Sequence, residues 1–320
     1  MNQKLLEILE NNMHQHVSGE AIAQSLHMTR ANVWKEIQKL KDLGYSIDSV
    51  RNLGYCLNSH SGNISPDYIK RSVDDVSEVH YFESLDSTNT YAKSQPFSAN
   101  TLILASHQSQ GRGRYGRNFY SPSNHGVYMS LVLEPKLELN DVQLVTVCAG
   151  LSVCLALETL YGLKPKIKWL NDILLNGKKL CGILTEGEIE LETQKFKHCI
   201  VGFGINTEHD THLPDSLSAI YTALNEDTDH LIDKNELIMS VLHQFYTLYN
   251  ALPDNREALI DAYKHRSMIL GKDVTLSTKE GTYKALDITR DGHLVVSDEH
   301  QTIHILNSGE VSIKEKINEN

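Results

Sequence analysis

Residues 111–117 read Gly111-Arg112-Gly113-Arg114-Tyr115-Gly116-Arg117, and the choice of fold turns on them. Taken literally the run satisfies GxGxxG, the fingerprint of a dinucleotide-binding βαβ unit. Glu134 and Glu138 even stand about 20 residues on, where such a unit places its acid. The fingerprint also requires its glycines to open a helix. Here the next residues are Asn118-Phe119-Tyr120-Ser121-Pro122-Ser123-Asn124, which is loop chemistry, and then an apolar β run. A nicotinamide or flavin fold is therefore set aside. What remains is glycine interleaved with Arg112, Arg114 and Arg117. Glycine lets backbone N–H groups approach an anion closely, and arginine supplies paired donors with permanent charge. The loop suits a phosphate, a carboxylate, or both held together; a solvated basic loop is the plainer alternative.

Around this loop, residues 66–268 alternate β runs (TLILASHQ, VYMSLVLE, KIKWL, LCGILTE, CIVGFGIN) with helical stretches at 142–161 and 234–250. That rhythm predicts an α+β or α/β core with a mixed sheet. Lys168-Trp169-Leu170-Asn171-Asp172 ends one β run, and Lys178-Lys179-Leu180-Cys181-Gly182 comes after an Asn176-Gly177 hairpin turn. A carboxylate, an amide and a lysine should thus meet near one strand edge. A second glycine pair lies in Gly202-Phe203-Gly204-Ile205-Asn206. No serine–histidine–acid order and no HExxH motif is present. Glu208-His209-Asp210-Thr211-His212 lacks zinc spacing and reads as a solvated loop, so no metal ligand is assigned. The stretch between Asp141 and Glu158 carries no charge, yet it is shorter than the ~20 residues of a membrane span and holds Gln143, Thr146 and Ser152. It reads as a buried core helix.

Residues 1–60 have a different pattern. MNQKLLEILENN carries glutamates where a signal peptide needs an apolar core, so it reads as a helix of the mature protein. AIAQSL, a His27-Met28 turn and then Thr29 capping RANVWKEIQKLKDLG predict a helix-turn-helix. Val33, Ile37, Leu40 and Leu43 share one face of the longer helix, and Gly44 ends it. Tyr45, Ile47, Val50, Tyr55 and Leu57 form two short strands around Arg51-Asn52-Leu53-Gly54, a wing. The first residues of a second helix reach base edges in such folds, so Arg30, Ala31, Asn32, Trp34 and Lys35 are the candidate DNA contacts. A winged helix used only for protein contacts is the competing reading. Ser59-His60-Ser61-Gly62-Asn63 reads as a linker, and Ser65-Pro66-Asp67 as the cap of a helix that opens the next domain. Residues 269–320 are short alternating strands broken by Gly281, Asp291-Gly292 and Ser308-Gly309, a rhythm that fits a small β-barrel or sandwich.

The chain has 320 residues, enough for two or three domains, with 40% hydrophobic and 22% charged residues, an ordinary globular balance. Its net charge of −11 excludes general nucleic-acid binding and confines any DNA contact to a local patch. The longer helix supplies one, since Arg30, Lys35, Lys39 and Lys41 outnumber Glu36 and Asp42. Cys56, Cys148, Cys154, Cys181 and Cys199 are odd in number and form no CxxC, which predicts core packers in a reducing cytoplasm.

In this order and spacing, Asp86-Ser87-Thr88-Asn89, Gln108, GRGRYGR, KWLND, KKLCGIL, GFGIN and Gly309-Glu310-Val311-Ser312 resemble the biotin protein ligase family. With the winged helix, the resemblance extends over nearly the whole chain, to the family's bifunctional, operon-repressing branch. It implies a central domain like those of class II synthetases and lipoate ligases. The implied activity makes biotinyl-5′-AMP from biotin and Mg²⁺-ATP, then transfers biotin to a lysine of the carrier domain of acetyl-CoA or pyruvate carboxylase. Other implied partners are operator DNA and a second copy of the chain, with no membrane. Carried over by position, Ser87, Thr88, Asn89, Gln108, Arg112, Gly113, Arg114 and Lys179 look like biotin contacts. Lys179 and Arg114 look like the catalytic pair, and Arg117, Phe119, Asn171, Asp172 and Asn206 like the ATP side. Phe119 stands where the family has tryptophan and keeps a stacking face with less area. Leu170 replaces the proline of KWPND and frees the backbone there. Two alternatives stay open: a non-catalytic regulator that senses a small anion, and a lipoate- or octanoate-attaching enzyme.

Overall fold

Short elements capped by Ser, Thr and Gly build the amino-terminal part, and long β runs the rest. The computed structural model describes residues 2–134, 142–190, 195–252 and 254–314. Glu138 of the dinucleotide-like pattern and the last residues of the 269–320 segment lie outside the described residues. The chain forms two compact units, Met1–Asp74 with Asp229–Met239, and Asp75–Thr228 with Ser240–Asn320.

The first unit contains α1 (Gln3–Glu10), α2 (Gly19–Ser25), α3 (Arg30–Asp42), β1 (Ser46–Val50), β2 (Gly54–Ser59) and α4 (Pro66–Ser72). Thr29 Oγ1 accepts the Asn32 N–H at 3.2 Å and starts α3. The Tyr45 N–H donates to Leu40 O at 3.0 Å and the Gly44 N–H to Lys41 O at 2.9 Å, the paired bonds of a Schellman stop, with Gly44 at φ +94°. Val33, Ile37 and Leu40 are buried with Leu5, Leu9, Ile22 and Leu57 in one core. Leu43, expected on that face, is 55% exposed, because it is the capping residue where the chain turns away. β1 and β2 pair antiparallel, with Val50 opposite Gly54, and form the wing. Pro66 opens α4, but the Ser65 hydroxyl does not cap it; it donates to Glu10 Oε1 at 2.7 Å. The segment with linker composition is not a solvated tether, since Ser59 and His60 are fully buried.

The second unit is built on β3 (Glu78–Phe82), α5 (Thr88–Ser94), β4 (Thr101–Ala105), β5 (Gly126–Leu133), α6 (Val142–Tyr161), β6 (Lys166–Lys168), β7 (Asp172–Leu175), β8 (Lys178–Glu190) and β9 (Lys195–Asn206). α7 (Asp215–Ser218), α8 (Lys234–Asn250) and α9 (Arg256–Arg266) come next, α8 beginning in the first unit and ending in the second. The seven strands form one sheet in the order β3-β4-β5-β9-β8-β7-β6. Among the described residues only β3 and β4 pair in parallel within this sheet. α6 lies between the sheet and α9. It is long and apolar enough to cross a membrane, but residues 143–154 are buried without a break, as a helix covered on both sides requires.

β10 (Asp273–Leu276), β11 (Lys279–Ile288), β12 (Leu294–Ser297), β13 (Ile303–Leu306) and β14 (Val311–Ile313) close the chain as an antiparallel sheet in the order β13-β12-β11-β10-β14. The strand rhythm fits a barrel or sandwich here. Among the described residues β13 and β14 are the outer strands and no ladder joins them.

Candidate active site

Two cavities meet on the second unit. The larger, about 430 Å³, is lined by Arg117, Trp169, Asp172, Asn206 and Tyr221 and, from the terminal sheet, Gly309–Ser312. The smaller, about 50 Å³, is lined by Ser87, Thr88, Asn89, Gln108, Arg112, Gly182, Gly202 and Gly204. Gly113, Arg114, Phe119, Asn171 and Lys179 line both.

The smaller cavity arises from the parallel pair. β3 and β4 bring their carboxyl ends to one edge, where Leu85 bridges Gln108. Ser87 then caps α5 and places Thr88 and Asn89 in its first turn. The Thr88 N–H and hydroxyl reach Gln108 Oε1 at 2.8 and 3.1 Å, and Gln108 Nε2 donates to Ser121 Oγ at 2.9 Å. The sheet floor is stripped of side chains at this place. Gly182 faces Gly204 across β8 and β9, and Gly202 faces Ser130 across β9 and β5. A Cβ on Gly204 would fall 2.3 Å from the Phe119 ring, and one on Gly202 would fall 2.2 Å from Asn89 Oδ1. The glycine pair is therefore what lets Phe119 and Asn89 lie flat on the strands.

Lys179 owes its direction to a bulge. Asp172 pairs with Gly182 and Ile173 with Cys181, but Leu174 pairs with Lys179, so Leu180 is an extra residue. In an unbroken ladder Lys179 would face away from Asp172; the bulge returns it to the same face. Its Nζ lies 2.8 Å from Asp172 Oδ1 and 5.8 Å from the centre of the Phe119 ring. Its backbone is pinned as well. The Lys179 N–H donates to Ile220 O at 2.6 Å, and Lys179 O accepts from Thr222 N–H at 3.1 Å and Asn206 Nδ2 at 3.3 Å. Asn206, expected on the ATP side, directs its Nδ2 donors to Lys179 O and Thr222 O, at 3.3 and 3.0 Å. It borders the larger cavity as a brace for Lys179.

The glycine–arginine loop folds as a tight excursion. Arg112 bridges Asn118, and Arg114–Gly116 make one 3-10 turn. Arg114 Nη1 donates to Asn171 Oδ1 at 3.1 Å, while Asn171 Nδ2 donates to Ile183 O at 2.9 Å. Tyr115 Oη accepts from Arg114 Nη2 at 3.1 Å and from the Gly309 N–H at 2.9 Å. Arg117 Nη2 donates to Glu310 Oε2 at 2.6 Å. The cluster Arg114, Lys179, Asp172, Asn171 thus sits half-open at the junction of the two cavities. That arrangement can hold two anionic groups side by side and neutralise both.

Among the described residues no cluster of three His, Cys, Asp or Glu side chains could hold a metal. In the 208–212 run, Asp210 accepts the Tyr120 hydroxyl at 2.6 Å and His209 Nδ1 lies 3.3 Å from Glu226. Arg30, Ala31, Asn32, Trp34 and Lys35 all project to solvent from α3, Trp34 being 54% exposed. Tyr115, Ser130, Glu186 and Gly309–Ser312 carry contacts of the site that motif spacing does not assign. Ser130 does leave a trace, as the one serine inside the apolar run of β5, where it is fully buried.

Comparison with known proteins agrees with this geometry. Residues 81–206 match the biotin/lipoate A/B protein ligase family, residues 2–56 a helix-turn-helix domain, and residues 269–314 the biotin protein ligase C-terminal domain. The bifunctional ligase/repressor BirA of Bacillus subtilis is 32% identical over 306 residues, 92% of this chain and 94% of that protein. BirA of Escherichia coli is 31% identical over 63% of this chain and 62% of its own length. The structure of the biotin protein ligase of Aquifex aeolicus in complex with biotin and ATP superposes with a TM-score of 0.65 at 28% identity, covering 75% of this chain and 99% of that one. A glycine-floored cavity opening through an Arg–Lys junction into a larger one, on a chain related to BirA along nearly its full length, places this protein in the biotin protein ligase family, within its bifunctional ligase/repressor branch.

Proposed function

We propose that this chain adenylates biotin with ATP to give biotinyl-5′-AMP, transfers biotin to a lysine of a biotin carboxyl carrier domain, and represses biotin genes through its helix-turn-helix. The observation that carries the ligase reading is the pair of cavities joined through Arg114 and Lys179. Biotin occupies the smaller one against Ser87, Thr88, Asn89, Gln108, Arg112 and Gly113. ATP occupies the larger one against Phe119, Arg117, Asn171 and Asp172, and Mg²⁺ enters with it as part of the substrate. The carrier domain belongs to acetyl-CoA or pyruvate carboxylase.

Adenylation brings a carboxylate up to an α-phosphate, and the two anions repel. The task is therefore charge neutralisation and positioning. Lys179, aimed by its bulge and braced by Asn206, and Arg114, held by Asn171, supply permanent donors at the meeting point. Asp172 keeps the Lys179 ammonium in place until the anions arrive. The loop 111–119 shields the mixed anhydride from water until the acceptor lysine attacks it.

The work is divided along the chain: 1–60 binds operator DNA, 66–268 binds biotin and ATP, and 269–320 borders the nucleotide. The exposed row Arg30, Ala31, Asn32, Trp34 and Lys35 supports the DNA reading. Repression calls for a dimer that the adenylate favours. The five cysteines are free and buried, which supports a reducing cytoplasm.

The test is pyrophosphate release dependent on both biotin and ATP, with an electrophoretic shift on a biotin-gene promoter in the presence of biotin, ATP or both. Absence of biotin-dependent release would overturn the ligase reading and favour a sensor that does no chemistry. Release with lipoate or octanoate in place of biotin would reassign the substrate.

A further inference from the structure

One carboxylate behind the smaller cavity gathers residues from α5 and the glycine–arginine loop. Glu186, on β8, has a side chain only 17% exposed. Its Oε2 accepts from Asn89 Nδ2 at 2.9 Å. Its Oε1 accepts from Lys93 Nζ, and Arg112 Nη2 lies 3.5 Å from the same oxygen. Burial alone would raise its pKa, but the hydrogen bonds from Lys93 and Asn89 outweigh burial and lower it, so it stays ionised.

An ionised carboxylate only accepts. Asn89 must therefore turn its NH₂ toward Glu186, and Leu184 O at 3.3 Å enforces the same orientation. Asn89 Oδ1 is left facing the Ser130 hydroxyl at 2.6 Å. Ser130 Oγ lies 2.7 Å from Thr88 Oγ1, which lies 3.1 Å from Gln108 Oε1. Gln108 cannot turn round, because its Oε1 takes the Thr88 N–H and its Nε2 donates to Ser121. The row thus ends in a carbonyl oxygen at each side, with two hydroxyls between. Each hydroxyl has one proton, so the three contacts of the row share two protons and one contact goes without. With the Asn89 amide reversed, every contact in the row would have its proton, and Glu186 forbids that arrangement.

We propose that Glu186 is a positioning residue that sets the hydrogen-bond polarity of the smaller cavity, keeping the row Asn89–Ser130–Thr88–Gln108 short of one proton so that Thr88 Oγ1, which lines the cavity, seeks an N–H donor on the bound ligand. The inference rests on the ligase reading, in which that ligand is biotin and the donor is an N–H of its cyclic urea. Because the mismatch is relieved on binding, Glu186 contributes to affinity in addition to the stability it lends the fold through Lys93 and Asn89.

Glu186→Gln tests this in the full-length protein, by calorimetric titration with biotin alone, calorimetric titration with ATP alone and steady-state kinetics. The expected result is biotin binding weakened about tenfold, the size of one lost charge-assisted hydrogen bond. KM for biotin rises in parallel, while kcat and ATP affinity stay within about twofold. Unchanged biotin affinity in the variant overturns the proposal while leaving the ligase reading intact. Loss of kcat and ATP affinity together with biotin affinity also overturns it, since that marks a merely structural role. Failure of the unsubstituted protein to bind biotin overturns the ligase reading, and this inference with it.

Discussion

His60 and Lys179 each sit beside acids, one in each compact unit, and they are opposites. The His60 ring is fully buried, with Asp233 Oδ2 at 2.9 Å on one nitrogen and Glu10 Oε1 at 3.2 Å on the other. The Ser65 hydroxyl and Arg71 Nη2 complete Glu10 at 2.7 Å each, and the Tyr68 ring stacks on the imidazole at 5.3 Å. Both ring nitrogens have an acid partner, and the acids themselves are buried. Lys179 and Asp172 also form a close pair, but they are 35% and 25% exposed and line an open cavity. A satisfied, closed charge cluster holds the chain together. A half-satisfied, open one is available for substrate. Charge and proximity alone do not distinguish them; access does.

The sharpest way to break this contrast is to remove His60. His60→Ala leaves Glu10 and Asp233 buried without their partner, and should cost about 3–5 kcal/mol in urea unfolding. Pyrophosphate release measured well below the melting temperature should be unaffected. A loss below about 1 kcal/mol would mean that water relieves the cluster. The mirror experiment is Lys179→Ala. It should lower adenylation by about 10²–10³-fold with little change in unfolding. Near-normal pyrophosphate release would remove Lys179 from the chemistry.

A pH series sharpens the buried side. Burial by itself would lower the His60 pKa, but hydrogen bonds to Asp233 and Glu10 override it and raise the value to about 9. The stability it contributes is complete below its ordinary value of 6.5 and is lost as pH rises toward 9. Burial opposes ionisation of Asp233, yet the His60 hydrogen bond takes its pKa to about 2, so its contribution is complete above 3.8 and is lost as pH falls toward 2. The stability gap between the unsubstituted chain and His60→Ala should therefore be widest between about pH 4 and 6.5 and narrow toward 9. A gap that is flat from pH 6 to 10 would show His60 to be neutral in the fold.

Smaller effects belong to the open side. Arg114→Gly removes the bond to Asn171 and one donor at the junction, and should let the adenylate escape several-fold faster, seen as biotin on unrelated lysines. Unchanged adenylate retention would refute the role. Trp34→Ala, at an exposed site, should leave stability within about 0.5 kcal/mol while weakening operator binding. Operator affinity equal to that of the unsubstituted chain would remove Trp34 from the interface.

Much of both regions is legible in the sequence, for local reasons. Thr29 and Gly44 mark the ends of α3 because capping needs only neighbouring residues. The GRGRYGR loop separates from a dinucleotide motif because the residues after it, with Pro122 among Ser and Asn, do not make a helix. His60 is not legible, since Ser59-His60-Ser61-Gly62-Asn63 has the composition of a linker and its acid partners lie 50 residues before it and 173 after. Glu186 stays hidden for the same reason, as Asn89 stands 97 residues away. Leu43 is misplaced by periodicity, which continues through a cap while the backbone does not. Strand rhythm fits a barrel or sandwich but says nothing about whether two edges meet.

The sequence by itself determined the order of elements, the helix-turn-helix, the mixed sheet and the residue types gathered for two anions. These arise from short-range sterics, capping and apolar periodicity. Tertiary structure decided which charges are closed and which are open. It turned Lys179 onto the face of Asp172 by one extra residue in β8, cleared the strands so that Phe119 and Asn89 could lie on them, and set the direction of the Asn89 amide from a carboxylate on a distant strand. Register, burial and hydrogen-bond polarity belong to pairs of residues that meet only when the chain is folded.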